Sequence, residues 1–179
     1  MGKIFFYVYS RKLNTIFLWM ILGIVLWNIV QLKIRKILPQ LWKLINRTIS
    51  LCAVFLVLYI TLGDRTLETK EVCLIPFQSF VRAKIQPEIY RSMLMNVFLF
   101  FPLGLTMPYV LPEKWRHNAL LTIIFACIFS IAIEYLQYYF QLGRAETDDV
   151  ICNTLGCFIG TISYMLSRTY EKRKNSKEE

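Results

Sequence analysis

The sequence predicts an all-α integral membrane protein, a bundle of about five transmembrane helices. Hydrophobic residues make up 56% of the chain and charged residues only 18%, proportions far from those of a soluble domain. The apolar residues gather in uncharged runs, and a membrane-spanning helix needs ~20 mostly apolar residues. The runs are residues 15–32, 48–63, 92–112, 117–133 and 150–167. Because no composition shift separates them, we predict one membrane domain over residues 1–179.

The first two helices need separate justification. Basic residues precede the first run, as in a secretory signal, but further basic residues rather than a small-residue cleavage site follow it, so we expect it to remain as a helix. The second run is short. We therefore expect its helix to include Leu44 and Ile45, with Arg47 reaching the membrane interface.

The other three helices each carry an interruption. Pro102 in the third run removes a backbone hydrogen bond and predicts a kink. Glu134 is the single carboxylate of an apolar stretch over residues 118–140. Gly156 and Gly160 form a small-xxx-small pair in the fifth run, which allows a neighbouring helix to approach closely.

Two segments outside these runs are distinctive. LIPFQSF (residues 74–80) is apolar but too short to cross a bilayer, so it reads as re-entrant or interfacial. Residues 168–179 form a basic tail, which we predict to be cytoplasmic.

The net charge of +9 follows membrane topology rather than a nucleic-acid surface, since Lys and Arg lie in loops and tails. We predict a multi-pass protein with its N-terminus outside and its C-terminus inside. This places twelve of the 21 Lys and Arg residues inside and nine outside, in keeping with the positive-inside rule. The polar residues of the last three helices then share one level, in the outer leaflet.

Glu134 is the leading candidate for a functional residue. An ionisable side chain at bilayer depth costs ~2.5–3.5 kcal/mol on insertion scales, so it needs an internal partner or a purpose. Ser130, Gln137 and Gln141 share its helix face, and a polar stripe on an apolar span should point inward. Arg144 follows in the next loop.

We assign Glu134 and Asp149 candidate catalytic roles in acid/base chemistry. Candidate substrate-binding residues are Arg144, Asn96, Gln137, Asn153 and Asp148. Several alternatives stay open: the amides could be interhelical glue, and Arg144 could pair with Glu134 or Asp149. Thr147 and Asp148 are N-cap candidates, so one aspartate is expected to be structural, and a divalent cation between Glu134, Asp148 and Asp149 is a further variant.

Other chemistries lack their signatures. His117 is the only histidine and belongs to the opposite membrane face, which excludes a His-based triad or zinc hydrolase beside Glu134. The five cysteines show no CxxC spacing, and no phosphate loop or dinucleotide fingerprint occurs. We predict no cofactor, no metal and no nucleic-acid partner.

Four motifs together resemble the VanZ-like family. They are LIPF (residues 74–77), NVFLFFPLG (96–104), EYLQ (134–137) and GRAETDDVICNTLGCFIG (143–160), in the family's order within about residues 70–165. The stretch between Arg144 and Asp148 varies within the family, so nothing is carried over to Glu146.

The resemblance implies a bacterial cell-envelope membrane protein, some relatives of which lower susceptibility to teicoplanin-type lipoglycopeptides. One hypothesis is a site that binds or modifies a membrane lipid or lipid-linked cell-wall precursor. The other is a non-enzymatic role, as a partner of an envelope enzyme or a hindrance to a lipoglycopeptide antibiotic, exerted through loops such as residues 74–80. Transport is less favoured because inverted repeats are not evident.

Overall fold

The computed structural model describes residues 18–19, 21–31, 33–35, 37–63, 71–112 and 117–178. Contacts divide the chain into two compact units, Met1–Trp42 and Lys43–Glu179. In the first unit, helix α1 spans residues 21–31, and the Trp27 and Trp42 rings lie 5.2 Å apart between centroids. Residues 15–17, 20 and 32 of the first predicted helix lie outside the described residues.

Four long helices account for most of the described residues from Pro39 onwards. They are α2 (Pro39–Leu58, which continues as a π-helical turn Tyr59–Gly63), α4 (Pro87–Val110), α5 (Asn118–Phe140) and α6 (Thr147–Glu178). Within the described part of the chain, four segments are long and apolar enough to cross a membrane: Pro39–Gly63, Glu88–Val110, Asn118–Phe140 and Thr147–Tyr170. The predicted all-α membrane bundle is thus confirmed.

Several helices extend beyond the uncharged runs from which they were predicted. Helix α2 begins at Pro39 rather than near Leu44 because its first turns carry polar side chains, such as exposed Lys43 and Arg47, that a hydropathy limit excludes. Helix α6 begins at Thr147 and continues through the basic tail to Glu178 for the same reason. Charge ends an apolar run, but it does not end a helix.

All four long helices contribute to one apolar core. Val57, Phe100, Ile133 and Cys157 come from α2, α4, α5 and α6 respectively, and each is 0–1% exposed. Large apolar side chains on the outer faces, such as Phe55 at 70% exposure, are left mostly uncovered by the described part of the chain. Such an outward apolar surface suits contact with lipid acyl chains.

Helices α4 and α6 approach each other through glycine, as the small-xxx-small pair predicts. A Cβ built on Gly156 would collide with the Val97 carbonyl, and one on Gly160 with the Phe101 carbonyl. Gly104 of α4 meets the Cys157 carbonyl in the same way. Backbone therefore packs on backbone along this interface, and a side chain at these positions would force the helices apart.

The described part of the connection between α2 and α4, residues 71–86, contains two short elements and is called the α3 segment below. Strand β1 (Val72–Cys73) precedes helix α3 (Gln78–Ala83), and the segment predicted to be interfacial, residues 74–80, follows β1 and includes the first half of α3. Strand β2 (Ala145–Glu146) follows α5, and the two strands pair in parallel, with Val72 opposite Ala145 and Cys73 opposite Glu146. The α3 segment is thereby joined to the start of α6.

Candidate functional site

Polar residues concentrate where the α3 segment meets the start of α6. Besides the β1–β2 pairing, the Ala145 N–H donates to the Glu71 carbonyl at 3.1 Å. The loop over residues 141–146 joins the end of α5 at Phe140 to the start of the α6 span at Thr147. The cluster therefore lies at one rim of the bundle, at the ends of apolar spans.

Asp148 ties the α3 segment to α6. Its side chain is 1% exposed, and its two oxygens accept the N–H groups of Phe77 and Ser79, each at 2.6 Å. Phe77 has a φ of 64°, a left-handed conformation that turns the chain into α3. A carboxylate of the first turn of α6 thus satisfies donors at the start of another helix, where orphan N–H groups need an acceptor. This differs from the N-cap role predicted for Asp148 within its own helix.

Glu146 is the hub of the charged groups. Its Oε2 accepts the Ser79 hydroxyl at 2.7 Å, and its Oε1 lies 3.5 Å from Arg82 Nη2. The same Oε1 lies 3.4 Å from Arg144 Nε, and Arg144 also approaches Glu71 at 3.8 Å. Two guanidinium groups and one hydroxyl therefore converge on a single carboxylate.

Glu134 joins this cluster through the backbone of Glu146. The Glu134 side chain is buried on α5, and its Oε2 accepts the Glu146 N–H at 2.9 Å. Glu134 therefore contacts the loop that carries Arg144, through the backbone of Glu146. The ion pairs that the structure shows for Arg144 are with Glu146 and Glu71.

The amide side chains of the predicted site connect helices. Gln137 Nε2 donates to the Thr61 carbonyl in the π-helical turn at 3.0 Å. Asn153 Nδ2 donates to the Ser130 hydroxyl at 2.8 Å. All four residues are buried, which confirms an inward-facing polar stripe for Ser130 and Gln137. Hydrogen bonds of this kind favour the glue alternative for the two amides.

Three further predicted residues lie on α5, α4 and α6. Gln141 is exposed as the C-cap of α5, at a φ of 58°, so its placement on the inward stripe was wrong. The left-handed cap ends the helical periodicity on which that prediction depended. Asn96 is half-buried on α4 and Asp149 half-buried on α6, the latter one residue beyond Asp148.

Sequence reasoning missed four members of the cluster: Glu71, Ser79, Arg82 and Glu146. Glu146 was left aside because its stretch of the chain is hard to align. Ser79 and Arg82 contact residues more than 60 positions away, and no local pattern announces such a pair. One sequence signal could have pointed to Arg82: it is a charged residue next to the apolar segment of residues 74–80, in a loop that the predicted topology places on the same side of the membrane as Arg144.

The cluster offers more hydrogen-bond donors than Glu146 can satisfy. The Nε atoms of Arg82 and Arg144 are both buried and have no hydrogen-bond partner among the residues that the structure describes. A guanidinium carries five N–H donors in a fixed fork that matches carboxylate and phosphate oxygens. The arrangement is therefore suited to holding an anion.

The cation-bridged variant gains no support. Across the described ranges, no group of three or more His, Cys, Asp or Glu side chains is placed to hold a metal ion. The two Asp148 oxygens that such an ion would need are taken by backbone N–H groups.

Comparison with known proteins identifies a family. The family model described as VanZ/LLP1 matches residues 48–168, from α2 through the span of α6. Protein VanZ of Enterococcus faecium is 33% identical over 86 residues, which cover 48% of this chain and 51% of that relative. The aligned region thus spans about half the length of this curated relative. No solved structure matches the chain.

Proposed function

The chain belongs to the VanZ/LLP1 family, and we propose that it is a VanZ-like envelope protein that lowers susceptibility to teicoplanin-type lipoglycopeptides. It would do so by binding, or modifying, a lipid-linked envelope precursor or membrane lipid at the rim of its bundle. One observation carries this proposal: two arginines converge on Glu146 beside the buried carboxylate of Glu134. A bundle held together only by interhelical contacts has no need of this charge.

The position of the cluster supports a lipid ligand. Arg144 and Glu146 lie between the end of α5 at Phe140 and the start of the α6 span. The ends of membrane spans are at the depth of the lipid headgroups. A headgroup phosphate or carboxylate could therefore reach the arginine forks while its acyl or prenyl chain stays in the hydrocarbon.

The candidate residues take distinct roles in this proposal. Arg144, aided by Arg82, holds the phosphate or carboxylate of the ligand. Gln137, Asn153 and Asn96 fix the helices around the site or orient the ligand. Where chemistry follows binding, Glu134 or Asp149 acts as the acid/base group.

We also propose the orientation of the chain. With the N-terminus outside and the C-terminus inside, the basic tail of α6 is cytoplasmic and the cluster opens towards the outer leaflet of the cell membrane. The excess of Lys and Arg in the loops assigned to the inside supports this choice. A lipoglycopeptide antibiotic and its envelope target would meet the protein on that outer side.

Replacement of Glu134 by Gln tests the function. Gln keeps the side-chain oxygen that accepts the Glu146 N–H but removes the charge. We expect Glu134→Gln to abolish the protein's effect on teicoplanin susceptibility, measured as the minimal inhibitory concentration in a strain lacking the gene. Membrane abundance and melting temperature should match the wild type. A Glu134→Gln strain as resistant as the wild type would remove Glu134 from the mechanism.

A non-enzymatic role as a membrane partner of an envelope enzyme has one observation in its favour. Leu74, Ile75 and Phe77 of the α3 segment are 74%, 64% and 59% exposed, as expected of a protein-docking surface. This alternative predicts that polar substitutions at Leu74 and Ile75 impair resistance more than Glu134→Gln does. The same susceptibility assay separates the two functions.

A further inference from the structure

Glu146 satisfies its arginine partners poorly. Charge-assisted N–H···O bonds are ordinarily ~2.7–2.9 Å long. The Glu146 carboxylate lies 3.5 Å from Arg82 Nη2 and 3.4 Å from Arg144 Nε. Neither guanidinium makes the bidentate contact that its fork permits, and neither buried Nε–H group makes a hydrogen bond to a described residue. The cluster thus contains donors arranged around an anion that is too small for them.

We propose that Glu146 is an internal stand-in for the ligand, and that a terminal phosphate of a lipid displaces its carboxylate from between Arg82 and Arg144. This inference depends on the proposed function, because it names the chemical class bound at the same rim of the bundle. A terminal phosphate brings three acceptor oxygens where the carboxylate has two. It can therefore engage both arginine forks together with the Ser79 hydroxyl, which now donates to Glu146.

The surroundings of Glu146 permit such an exchange. Its side chain is 15% exposed, and those of Arg82 and Arg144 are 33% and 31% exposed, so water or a headgroup can reach the cluster. The backbone at Glu146 is fixed independently, by its N–H bond to Glu134 and by its pairing with Cys73. The carboxylate can thus swing outward without separating β2 from β1.

The stand-in role and a purely structural role of Glu146 predict opposite effects of Glu146→Gln on ligand binding. If Glu146 only holds the loops together, Glu146→Gln loosens the site and weakens the binding of any ligand. If Glu146 competes with the ligand, Glu146→Gln removes the competitor and strengthens phosphate binding. Glu71→Gln is a matched control, because Glu71 also pairs with Arg144 but lies farther away, at 3.8 Å, and is 59% exposed.

The experiment measures binding to the full-length protein purified in detergent. The probes are phosphatidic acid of short chain length, phosphatidylcholine of the same chains, and inorganic phosphate, each titrated by calorimetry. We expect Glu146→Gln to bind phosphatidic acid about fivefold tighter than the wild type, equal to ~1 kcal/mol at 1.4 kcal/mol per tenfold. Glu71→Gln should change affinity less than twofold, and Arg144→Gln should lose binding in both backgrounds.

The outcomes separate the two proposals. If binding depends on Arg144 but Glu146→Gln leaves the affinity unchanged or weakens it, the stand-in role is overturned and the proposed function stands. If Glu71→Gln tightens phosphatidic acid binding as much as Glu146→Gln does, the stand-in role is also overturned, because the loss of any negative charge near Arg144 would then explain the higher affinity. If neither the wild type nor Glu146→Gln binds phosphatidic acid, both proposals fall. Tightening seen with inorganic phosphate alone supports the stand-in role but overturns a lipid as its source.

Discussion

The replacement of Asp148 by Asn should release the α3 segment from α6. In the wild type, the two Asp148 oxygens accept the N–H groups of Phe77 and Ser79, each at 2.6 Å, and the side chain is 1% exposed. Asn keeps the shape but has only one oxygen, so its NH2 group must face one of these N–H donors. One hydrogen bond is lost, and the buried N–H has no acceptor.

The size of the effect follows from these two contacts. A hydrogen bond to a charged group contributes ~1.5–3 kcal/mol, and an unsatisfied buried donor costs a similar amount. Taking ~2–3 kcal/mol for the local docking equilibrium, the undocked fraction of the α3 segment rises roughly 30- to 140-fold, at 1.4 kcal/mol per tenfold. Local opening of this kind leaves the helical bundle folded.

Cys73 provides the assay. It lies in β1 and is 6% exposed, whereas the other four cysteines lie within the long helices. Its labelling by a water-soluble maleimide in purified protein, read by mass spectrometry of the Cys73 peptide, reports opening of the segment. We expect Asp148→Asn to label faster by the factor above.

Asp149→Asn is the matched control, with the same chemical change one residue along the same helix. It should leave the labelling of Cys73 at the wild-type rate, because the N–H groups of Phe77 and Ser79 are bonded to the two oxygens of Asp148. Equal labelling of Asp148→Asn and the wild type would refute the inference that this carboxylate docks the segment.

Two further predictions concern packing and the amide contacts. Gly156→Ala should destabilise the protein by ~1–3 kcal/mol, because its methyl group would collide with the Val97 carbonyl. Gly23→Ala is the control: a Cβ there meets nothing within 4 Å, and Ala favours helix over Gly, so this variant should not lower the melting temperature in detergent. Asn153→Ala and Ser130→Ala should show a coupling of ~0.6–1.7 kcal/mol in a double-mutant cycle of unfolding, since the two side chains share one buried hydrogen bond of 2.8 Å. Additive effects would mean that this bond contributes nothing, and a harmless Gly156→Ala would mean that α4 and α6 are not in backbone contact.

The features predicted from sequence are those that depend on local periodicity. Uncharged runs located the four long helices of the second unit, and the four-residue spacing of Gly156 and Gly160 predicted the close approach to α4. Glu134 could be singled out because a carboxylate within an apolar stretch is costly wherever its partner lies. These inferences need no knowledge of how the chain folds back on itself.

The contacts around Glu146 could not be predicted in this way. They join residues that lie far apart in the chain, such as Ser79 and Glu146, and they depend on how the α3 segment docks. Asp148 shows the same limit: its sequence context suggests a cap of its own helix, but the structure uses it to cap α3. An exposed-looking charge in a loop gives no local sign of its distant partner.

Lipid-linked precursor profiles test the central claim most directly, that the charged rim of the bundle is a ligand site. Lipid extracts would be compared by mass spectrometry between a strain lacking the gene and the same strain carrying the wild type, Arg144→Gln or Glu71→Gln. We expect the wild type and Glu71→Gln to shift the pool of phosphate-bearing envelope lipids alike, and Arg144→Gln to resemble the deletion. If Arg144→Gln, at normal protein abundance, restores the wild-type lipid profile fully, the claim is contradicted and the cluster has only a structural role.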